Sequence, residues 1–150
     1  MPKIDVTDEA VIDAPPKVVY KEMLDLFAGL THWRMPHFEA KTRKDSPIGG
    51  ENMISDIIIR GPMGLDSRFT TKVMKVEEGK SIVIDVIGGD FIGTSMFTFE
   101  SIDEKTHVSY RFAARPTKLL FNIISPLVRK SHSNHIQNGY KSLNQYLNKN

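Results

Sequence analysis

The side chains best suited to chemistry lie near the C-terminal end, where residues 131–135 read Ser-His-Ser-Asn-His. In a helix, His132 and His135 would be three residues apart and close enough to share a metal ion. A metal site needs a third and usually a fourth ligand, however, and the other histidines are scattered along the chain. The sequence therefore predicts no metal site. It leaves two alternatives open for each histidine. The side chain is either hydrogen-bonded within the protein or partly exposed to solvent, or it is a polar group that contacts a ligand.

Catalysis is one use for such residues. Removal of a proton beside a carbonyl needs a base such as His132 and a stabilising donor such as Tyr110 or Arg129. These three are the candidate catalytic residues. The alternative is that the same groups orient the carbonyl, phenol or carboxylate of a bound molecule, since a buried tyrosine hydroxyl normally seeks a partner. The sequence does not show whether the side chains converge, so both alternatives stay open.

A helical wheel at about 100° per residue divides this region into faces. With Leu143 at the centre of the buried stripe, His132 lies within about 60° of it and His135 lies at the edge, about 80° away. The other residues within about 60° are Val128, Arg129, Ile136, Gly139, Tyr140 and Leu147. The residues expected to face solvent are Ser131, Asn134 and Asn138. Because glycine in a helix interior costs roughly 1 kcal/mol relative to alanine, Gly139 indicates close approach to a strand, room for a ligand, or only a local weakness.

The rest of the chain must supply the surface that this helix covers. Residues 6–13 alternate as a strand and end at prolines that can start a helix. Helical spacing then runs to Leu30, with Gly29 marking a break or a second short helix. Residues 117–147 form one long helical region, interrupted at Pro126, with Ser125 placed to cap its second part. Between these helical regions, short turns separate six strands and predict an antiparallel meander: residues 38–44, 52–60, 65–76, 82–87, 91–102 and 106–115.

These elements predict an α+β protein. Its seven-stranded curved antiparallel sheet is wrapped on one long C-terminal helix, and two short helices follow the first strand. Alternation places apolar side chains on the concave face of the sheet, where they could simply fill a core; among them are Ile57, Phe69, Ile84, Phe97, Phe99 and Tyr110. The middle of the covering helix is too polar to pack against so many apolar side chains. We therefore expect the two layers to leave a cavity.

Three stretches resemble a known family. Residues 11–20 (VIDAPPKVVY) are similar to the strand-to-helix start of the START-like (SRPBCC) superfamily, residues 98–111 to its last two strands, and residues 124–130 (ISPLVRK) to the start of its C-terminal helix. Together they resemble its polyketide cyclase/dehydrase-like branch over about the whole chain. The resemblance implies a helix-grip fold with a hydrophobic cavity between sheet and long helix. It does not imply one activity, since members bind lipids, polyketides or quinones, a few catalyse, and others bind chaperones.

We therefore expect a small hydrophobic ligand, such as a lipid, a quinone or a polyketide-like molecule, bound between the sheet and the C-terminal helix. The alternatives are a polyketide cyclase/dehydrase-type enzyme that uses His132 and Tyr110, or a chaperone-binding module. The residues expected to contact the ligand are Trp33, Phe38, Ile57, Phe69, Ile84, Phe97, Phe99, Tyr110, Val128, His132, Ile136 and Gly139.

Composition excludes several other classes of protein. The chain has 150 residues, of which 40% are hydrophobic and 25% charged, and its formal net charge of +2 is too small to favour nucleic acid or an anionic membrane surface. The lack of cysteine excludes disulfides and thiolate catalysis. Phosphate-loop and Rossmann motifs are missing, and we expect no cofactor. Since no apolar run suits a signal peptide or a membrane span, we expect one cytoplasmic domain over residues 1–150, a monomer or weak dimer without integral membrane association.

Overall fold

The computed structural model describes residues 3–61 and 64–149, which form seven strands and three helices. Their bounds are β1 Ile4–Ile12, α1 Pro16–Ala28, β2 Phe38–Thr42, β3 Ile54–Ile59, β4 Ser67–Glu77, β5 Ser81–Gly89, β6 Phe91–Ile102, β7 Lys105–Pro116, α2 Leu119–Ile123 and α3 Ser125–Leu147. The predicted α+β helix-grip fold is confirmed: a curved antiparallel sheet faces one long C-terminal helix.

The sheet has the order β1-β7-β6-β5-β4-β3-β2, and every neighbouring pair of strands is antiparallel. Strands β2 to β7 form the predicted meander, and β1 pairs with β7 so that Ile4 lies opposite Ala114. The register of β4 against β5 shifts after Thr70 and again after Val73. Such bulges bend a strand and increase its twist, which helps to curve the sheet around its apolar face.

Helix α1 is the single helix between β1 and β2 in the described part of the chain, so the prediction of two short helices is wrong. It starts behind Pro15, which occupies the N-cap position. It ends at Gly29, whose φ of 71° is left-handed and whose N–H bonds to the carbonyl of Leu26 at 3.2 Å. A side chain at Gly29 would also drive its Cβ into the carbonyl oxygen of Ala40, well inside van der Waals contact. The glycine therefore ends one helix and does not separate two.

The C-terminal helical region is broken where it was predicted to be, into α2 and α3. Pro126 lies in the first turn of α3. Ser125 does not cap α3, contrary to the prediction, because Ile124 holds the N-cap position. The Ser125 hydroxyl instead donates to carbonyl oxygens at the end of α2, those of Phe121 at 3.3 Å and of Asn122. It thereby satisfies acceptors that the end of α2 leaves free.

Helices α1 and α3 approach different parts of the sheet. The backbone of α3 comes close along β1, at one edge, whereas α1 lies nearest β2, at the other. The strands between these edges are therefore covered at a greater distance, and side chains must fill the gap. That gap is where a cavity can persist.

Candidate functional site

A polar seam holds α3 against the edge of the sheet. Four side chains of α3 at helical spacing contribute to it: Ser133, Gln137, Tyr140 and Asn144. The Tyr140 hydroxyl donates to the backbone carbonyl of Asp8 at 2.9 Å, and the Ser133 hydroxyl donates to the Asp8 carboxylate at 3.1 Å. Much of the polarity of α3 thus serves attachment to β1, and a different face of α3 looks towards the centre of the sheet.

Two adjacent cavities, here called the inner and the outer lobe of the site, lie behind this seam, between α3 and the concave face of the sheet. The inner lobe has a volume of about 30 Å³ and reaches α1. The outer lobe has a volume of about 100 Å³ and reaches α2 and the exposed side chains of Leu65 and Leu127, which form its mouth. Both lobes are bordered by the same four residues: Ile59, Phe69, His132 and His135. The two histidines therefore lie at the junction.

Most of the residues expected to contact a ligand line this cavity. Phe69 and His132 border both lobes, and Val128 borders the outer lobe. Those that border the inner lobe alone are Trp33, Phe38, Phe97, Tyr110, Ile136 and Gly139. The structure thus brings together side chains from α3, from four strands of the sheet and from the segment between α1 and β2.

Three of the expected contact residues lie elsewhere. Ile57 and Ile84 are fully buried in the packed core and are not part of the cavity wall. Phe99 packs edge-on against Tyr20 of α1, with ring centroids 5.8 Å apart. Alternation correctly places all three on the concave face. It does not show at which positions along a strand the sheet and the helices are far enough apart to leave a cavity.

Arg129 is also not at the site. Its side chain is exposed on α3 and borders neither lobe. The wheel angle alone predicts it to face the sheet. A guanidinium without a buried partner is strongly favoured to remain in water, and this position near the start of α3 lets it do so. The candidate role of Arg129 as a donor to a developing negative charge is therefore not supported.

His135 is buried and His132 is half-buried, and both rings are neutral and stacked on aromatic rings. The imidazole of His132 lies over Phe112 with centroids 4.5 Å apart, and that of His135 lies over Phe38 at 6.2 Å. Burial, with a smaller repulsion from His135, lowers the pKa of His132 to about 3. Burial, with a smaller repulsion from His37, lowers the pKa of His135 to about 4. Both rings are therefore uncharged at neutral pH.

Three nitrogen atoms of the cavity wall are buried without a hydrogen-bond partner among the described residues. They are Nδ1 of His132, Nε2 of His135 and Nε1 of Trp33. Buried polar groups are nearly always paired, and leaving one unpaired costs about 1–3 kcal/mol. An indole N–H can only donate, while a nitrogen of a neutral imidazole donates or accepts according to its tautomer. The cavity thus offers polar groups of both kinds within an apolar wall.

Tyr110 lies beside His132 on the same wall. Its ring stacks on Phe97 at a centroid distance of 4.2 Å, and the centroid of His132 is 5.9 Å away. Burial raises the pKa of Tyr110 to about 12, an effect that a hydrogen bond with Ser95 partly opposes. The phenol therefore stays protonated at neutral pH and can act as a hydrogen-bond donor.

Neither a metal cluster nor a membrane-spanning helix is found in residues 3–61 and 64–149. No group of three or more histidine, cysteine, aspartate or glutamate side chains is arranged there to hold a metal ion. No helix within the same ranges is long and apolar enough to cross a membrane.

Residues 3–147 match the family described as polyketide cyclase / dehydrase and lipid transport. The chain belongs to this family. The match confirms the START-like resemblance seen in the sequence. No curated protein matches the chain significantly.

Solved structures with the same fold as this polyketide cyclase/dehydrase family member have low sequence identity to it. TTHA0849 from Thermus thermophilus is 22% identical over 94% of both chains, with a TM-score of 0.76. A START superfamily protein from Mycobacterium smegmatis is 16% identical over 95% of both chains, with a TM-score of 0.71. The di-domain ARO/CYC protein BexL from the BE-7585A biosynthetic pathway is 17% identical over 98% of this chain and 50% of its own, with a TM-score of 0.74. These similarities show the shared fold.

Sequence reasoning missed several residues of the wall. His135 was expected at the edge of the buried face but is buried at the junction of the lobes. Ser131 was expected to face solvent but borders the outer lobe. Met35 lies in a segment without periodicity, and its side chain packs on Gly139, where an added Cβ would lie 3.0 Å from Met35 Sδ. Gly139 thus lies where the Met35 side chain approaches α3 closely. The sequence had indicated only close approach of a strand, room for a ligand or a local weakness at this glycine.

Proposed function

We propose that this protein binds a small, mostly apolar molecule that carries at least one oxygen atom, in the cavity between the sheet and α3. The observation that carries the proposal is the set of three buried nitrogen atoms without partners, on Trp33, His132 and His135. A ligand oxygen that accepts from the Trp33 indole or from an imidazole N–H would satisfy groups that the fold leaves unpaired. A pure hydrocarbon would leave them unpaired.

The size of the cavity limits what fits without rearrangement. Cavities of about 150 Å³ bind benzene, so the outer lobe at about 100 Å³ is near the size of one small ring. A longer ligand must also use the inner lobe. The Met35 side chain borders that lobe, and methionine is unbranched and adaptable. A two-ring quinone or phenol, with its oxygen at the histidines and with Met35 displaced to widen the inner lobe for the second ring, is therefore a better initial probe than a long-chain lipid.

The test uses a matched pair of probes, naphthalene and 1,4-naphthoquinone, which have the same ring system and differ in two oxygen atoms. Binding is measured by isothermal calorimetry and by the shift in melting temperature. The chain has no cysteine, so thiol addition to the quinone does not complicate the result. The quinone should bind at least about tenfold more tightly, since one satisfied hydrogen bond contributes roughly 0.5–1.5 kcal/mol and two or more groups are unpaired.

The variants Trp33→Phe, His132→Phe and His135→Phe keep an aromatic ring and remove the polar nitrogens one at a time. Each should reduce the preference for the quinone and leave naphthalene binding nearly unchanged. Equal affinity of the wild-type protein for the two probes, or no binding of either, would overturn the proposal. Native mass spectrometry and solvent extraction of the purified protein would then show what, if anything, it carries.

A cyclase- or dehydrase-type enzyme is the second candidate, since Tyr110 and His132 border the same lobe. A general base works best when its pKa is near the working pH. With a pKa of about 3, His132 is a poor proton acceptor at neutral pH, so binding is better supported than proton abstraction. If a turnover is found, loss of activity in both His132→Ala and Tyr110→Phe would favour the enzyme.

A further inference from the structure

An apolar surface surrounds the mouth of the cavity. Four aliphatic side chains of α2 and the first turn of α3, here named the α2 patch, are largely exposed: Leu119 at 76%, Leu120 at 51%, Ile123 at 69% and Leu127 at 57%. Single exposed aliphatic residues need no explanation, but a contiguous group of them usually marks an interaction site. Leu127 also lines the outer lobe, so the α2 patch and the cavity are continuous.

The fold holds the α2 patch in an outward position. Phe121 is the buried residue of α2, and its ring stacks on Phe91 of β6 with centroids 5.8 Å apart and planes 9° apart. The chain just before α2 is tied down, because the backbone N–H of Thr117 donates to the Asp90 carbonyl at 2.9 Å. The Lys118 ammonium lies 3.0 Å from the Asp90 carboxylate. With Phe121 turned inward, the remaining aliphatic side chains of α2 must face outward.

Positive charge flanks the α2 patch. Residues 105–150 contain eight lysines and arginines and no aspartate or glutamate, whereas residues 1–104 contain twelve basic and all eighteen acidic residues. Directly after the patch along α3, Arg129 and Lys130 are exposed and form no ion pair with the described residues. Lys118 is paired with Asp90. The net charge of +2 thus hides a strong segregation of basic from acidic residues along the sequence.

The acidic side chains nearest to the mouth are already paired. Asp90 is bound by Lys118, and Asp66, next to the exposed Leu65, lies 3.1 Å from Arg60 and 3.9 Å from Arg68. Within residues 118–130, which include the α2 patch, the charges left without an ion-pair partner are therefore the cations Arg129 and Lys130. An apolar surface with flanking cations complements an anionic bilayer, in which acyl chains lie below negative headgroups.

We propose that the α2 patch docks this protein on the surface of an anionic lipid bilayer. Leu119, Leu120 and Ile123 enter the boundary between headgroups and acyl chains, while Arg129 and Lys130 remain among the phosphates. The attachment is peripheral and needs no spanning helix. It turns the mouth of the outer lobe towards the bilayer, so that a hydrophobic molecule reaches the cavity without crossing water.

Flotation of the purified protein with lipid vesicles tests the proposal. Binding should be clear with vesicles of phosphatidylcholine and phosphatidylglycerol at about 3:1 and weak with phosphatidylcholine alone. It should fall as NaCl is raised to about 0.5 M, because salt screens exposed charges. The variant Leu119→Gln/Ile123→Gln should bind at least about tenfold more weakly, since each side chain loses most of its transfer free energy. Arg129→Gln/Lys130→Gln should lose the preference for the anionic lipid.

The matched control is Val11→Gln/Ile102→Gln. These side chains are 52% and 44% exposed and lie near the end of the sheet where Ile12 pairs with Thr106, away from Phe91 and α2. Binding of this variant should equal that of wild type. No difference between the two lipid mixtures, or equal losses in control and patch variants, would overturn the proposal. Since no ligand is added, this result does not depend on ligand binding in the cavity.

Self-association is the competing use of an apolar surface. Light scattering coupled to size exclusion distinguishes it. A dimer that becomes monomeric in Leu119→Gln/Ile123→Gln, together with no vesicle binding by wild type, would assign the α2 patch to a second copy of the chain and overturn the membrane proposal.

Discussion

Acid should destabilise this protein through the two histidines of the cavity wall. His132 and His135 have folded-state pKa values of about 3 and about 4, lowered mainly by burial. In the unfolded chain a histidine has a pKa near about 6.5. Below that pH the unfolded state therefore binds protons that the folded state does not, and the free energy of unfolding falls. The stabilising contribution is complete above about pH 6.5 and is lost as the pH falls towards about 4 and then about 3.

The size of the effect follows from the difference in bound protons. Each unit of pH below about 6.5 costs about 1.4 kcal/mol per histidine until the folded-state pKa is reached. At about pH 5 this is about 2 kcal/mol for each ring, or about 4 kcal/mol for both. Small domains have free energies of unfolding of only about 5–15 kcal/mol. A change from about pH 7 to about pH 5 should therefore remove a large part of the stability.

Asp8 acts in the opposite direction. Burial raises the pKa of its carboxyl, more than the hydrogen bonds from Ser133 and Gln137 lower it. A raised carboxyl pKa makes protonation favour the folded state, so stability is gained as the pH falls towards that pKa. The total loss of unfolding free energy in the wild-type protein will therefore be smaller than the sum of the two histidine contributions. Single variants are needed to isolate the contribution of each histidine.

The assay is urea unfolding at about pH 7 and about pH 5 for wild type, His132→Phe and His135→Phe, with the exposed His32→Gln as the control. Each phenylalanine variant should lose about 2 kcal/mol less than wild type between the two pH values. His132→Phe should also be more stable than wild type at about pH 7, because it removes an unpaired buried nitrogen from a site between aromatic rings. If wild type, control and both variants lose the same free energy, the histidines do not have the lowered pKa values described for the folded state.

Three further predictions concern stability and fit. Gly29→Ala should lower the free energy of unfolding by about 3 kcal/mol in urea titrations, because φ is 71° and the new Cβ would collide with the backbone oxygen of Ala40; a loss below about 1 kcal/mol would contradict it. Gly139→Ala should change stability little, since about 1 kcal/mol of helix propensity offsets the displacement of Met35, but calorimetry should show weaker quinone binding as Met35 moves into the inner lobe. Tyr140→Phe should cost about 1–3 kcal/mol in the same titrations, because the buried carbonyl of Asp8 loses its donor; an unchanged value would show that another donor replaces it.

The sequence predicted the sheet and most of the cavity wall because side chains alternate between the two faces of a strand, however the sheet packs against the helices. Phe69, Phe97 and Tyr110 were assigned to the concave face from period two alone, and all three border the cavity. The same rule could not exclude Ile57 and Ile84 from the wall. Whether an inward side chain meets another side chain or open space depends on the distance of the opposite layer, which is a tertiary property.

The errors on the helices have a similar cause. Gly29 was recognised as a break, but only the contact with Ala40 shows that no helix follows it directly. The helical wheel correctly placed His132 on the side of α3 that faces away from solvent. It assumed, however, that one face of α3 packs on the sheet along the whole length of the helix. Because α3 approaches β1 at the sheet edge and crosses the cavity with its adjoining face, His135 is buried as well.

The polarity of α3 is what preserves the cavity. A helix attached through apolar side chains would gain stability by sinking towards the centre of the sheet until the space was filled. Here Ser133 and Tyr140 hold α3 at the edge through directional bonds to Asp8, which lose their energy if the helix shifts. His132 and His135 face the middle of the sheet. Their unpaired nitrogens reduce the free energy that would be gained if α3 and the sheet closed the cavity without a ligand or water inside. A polar stretch in a core-facing helix is thus consistent with a fold that keeps room for a ligand.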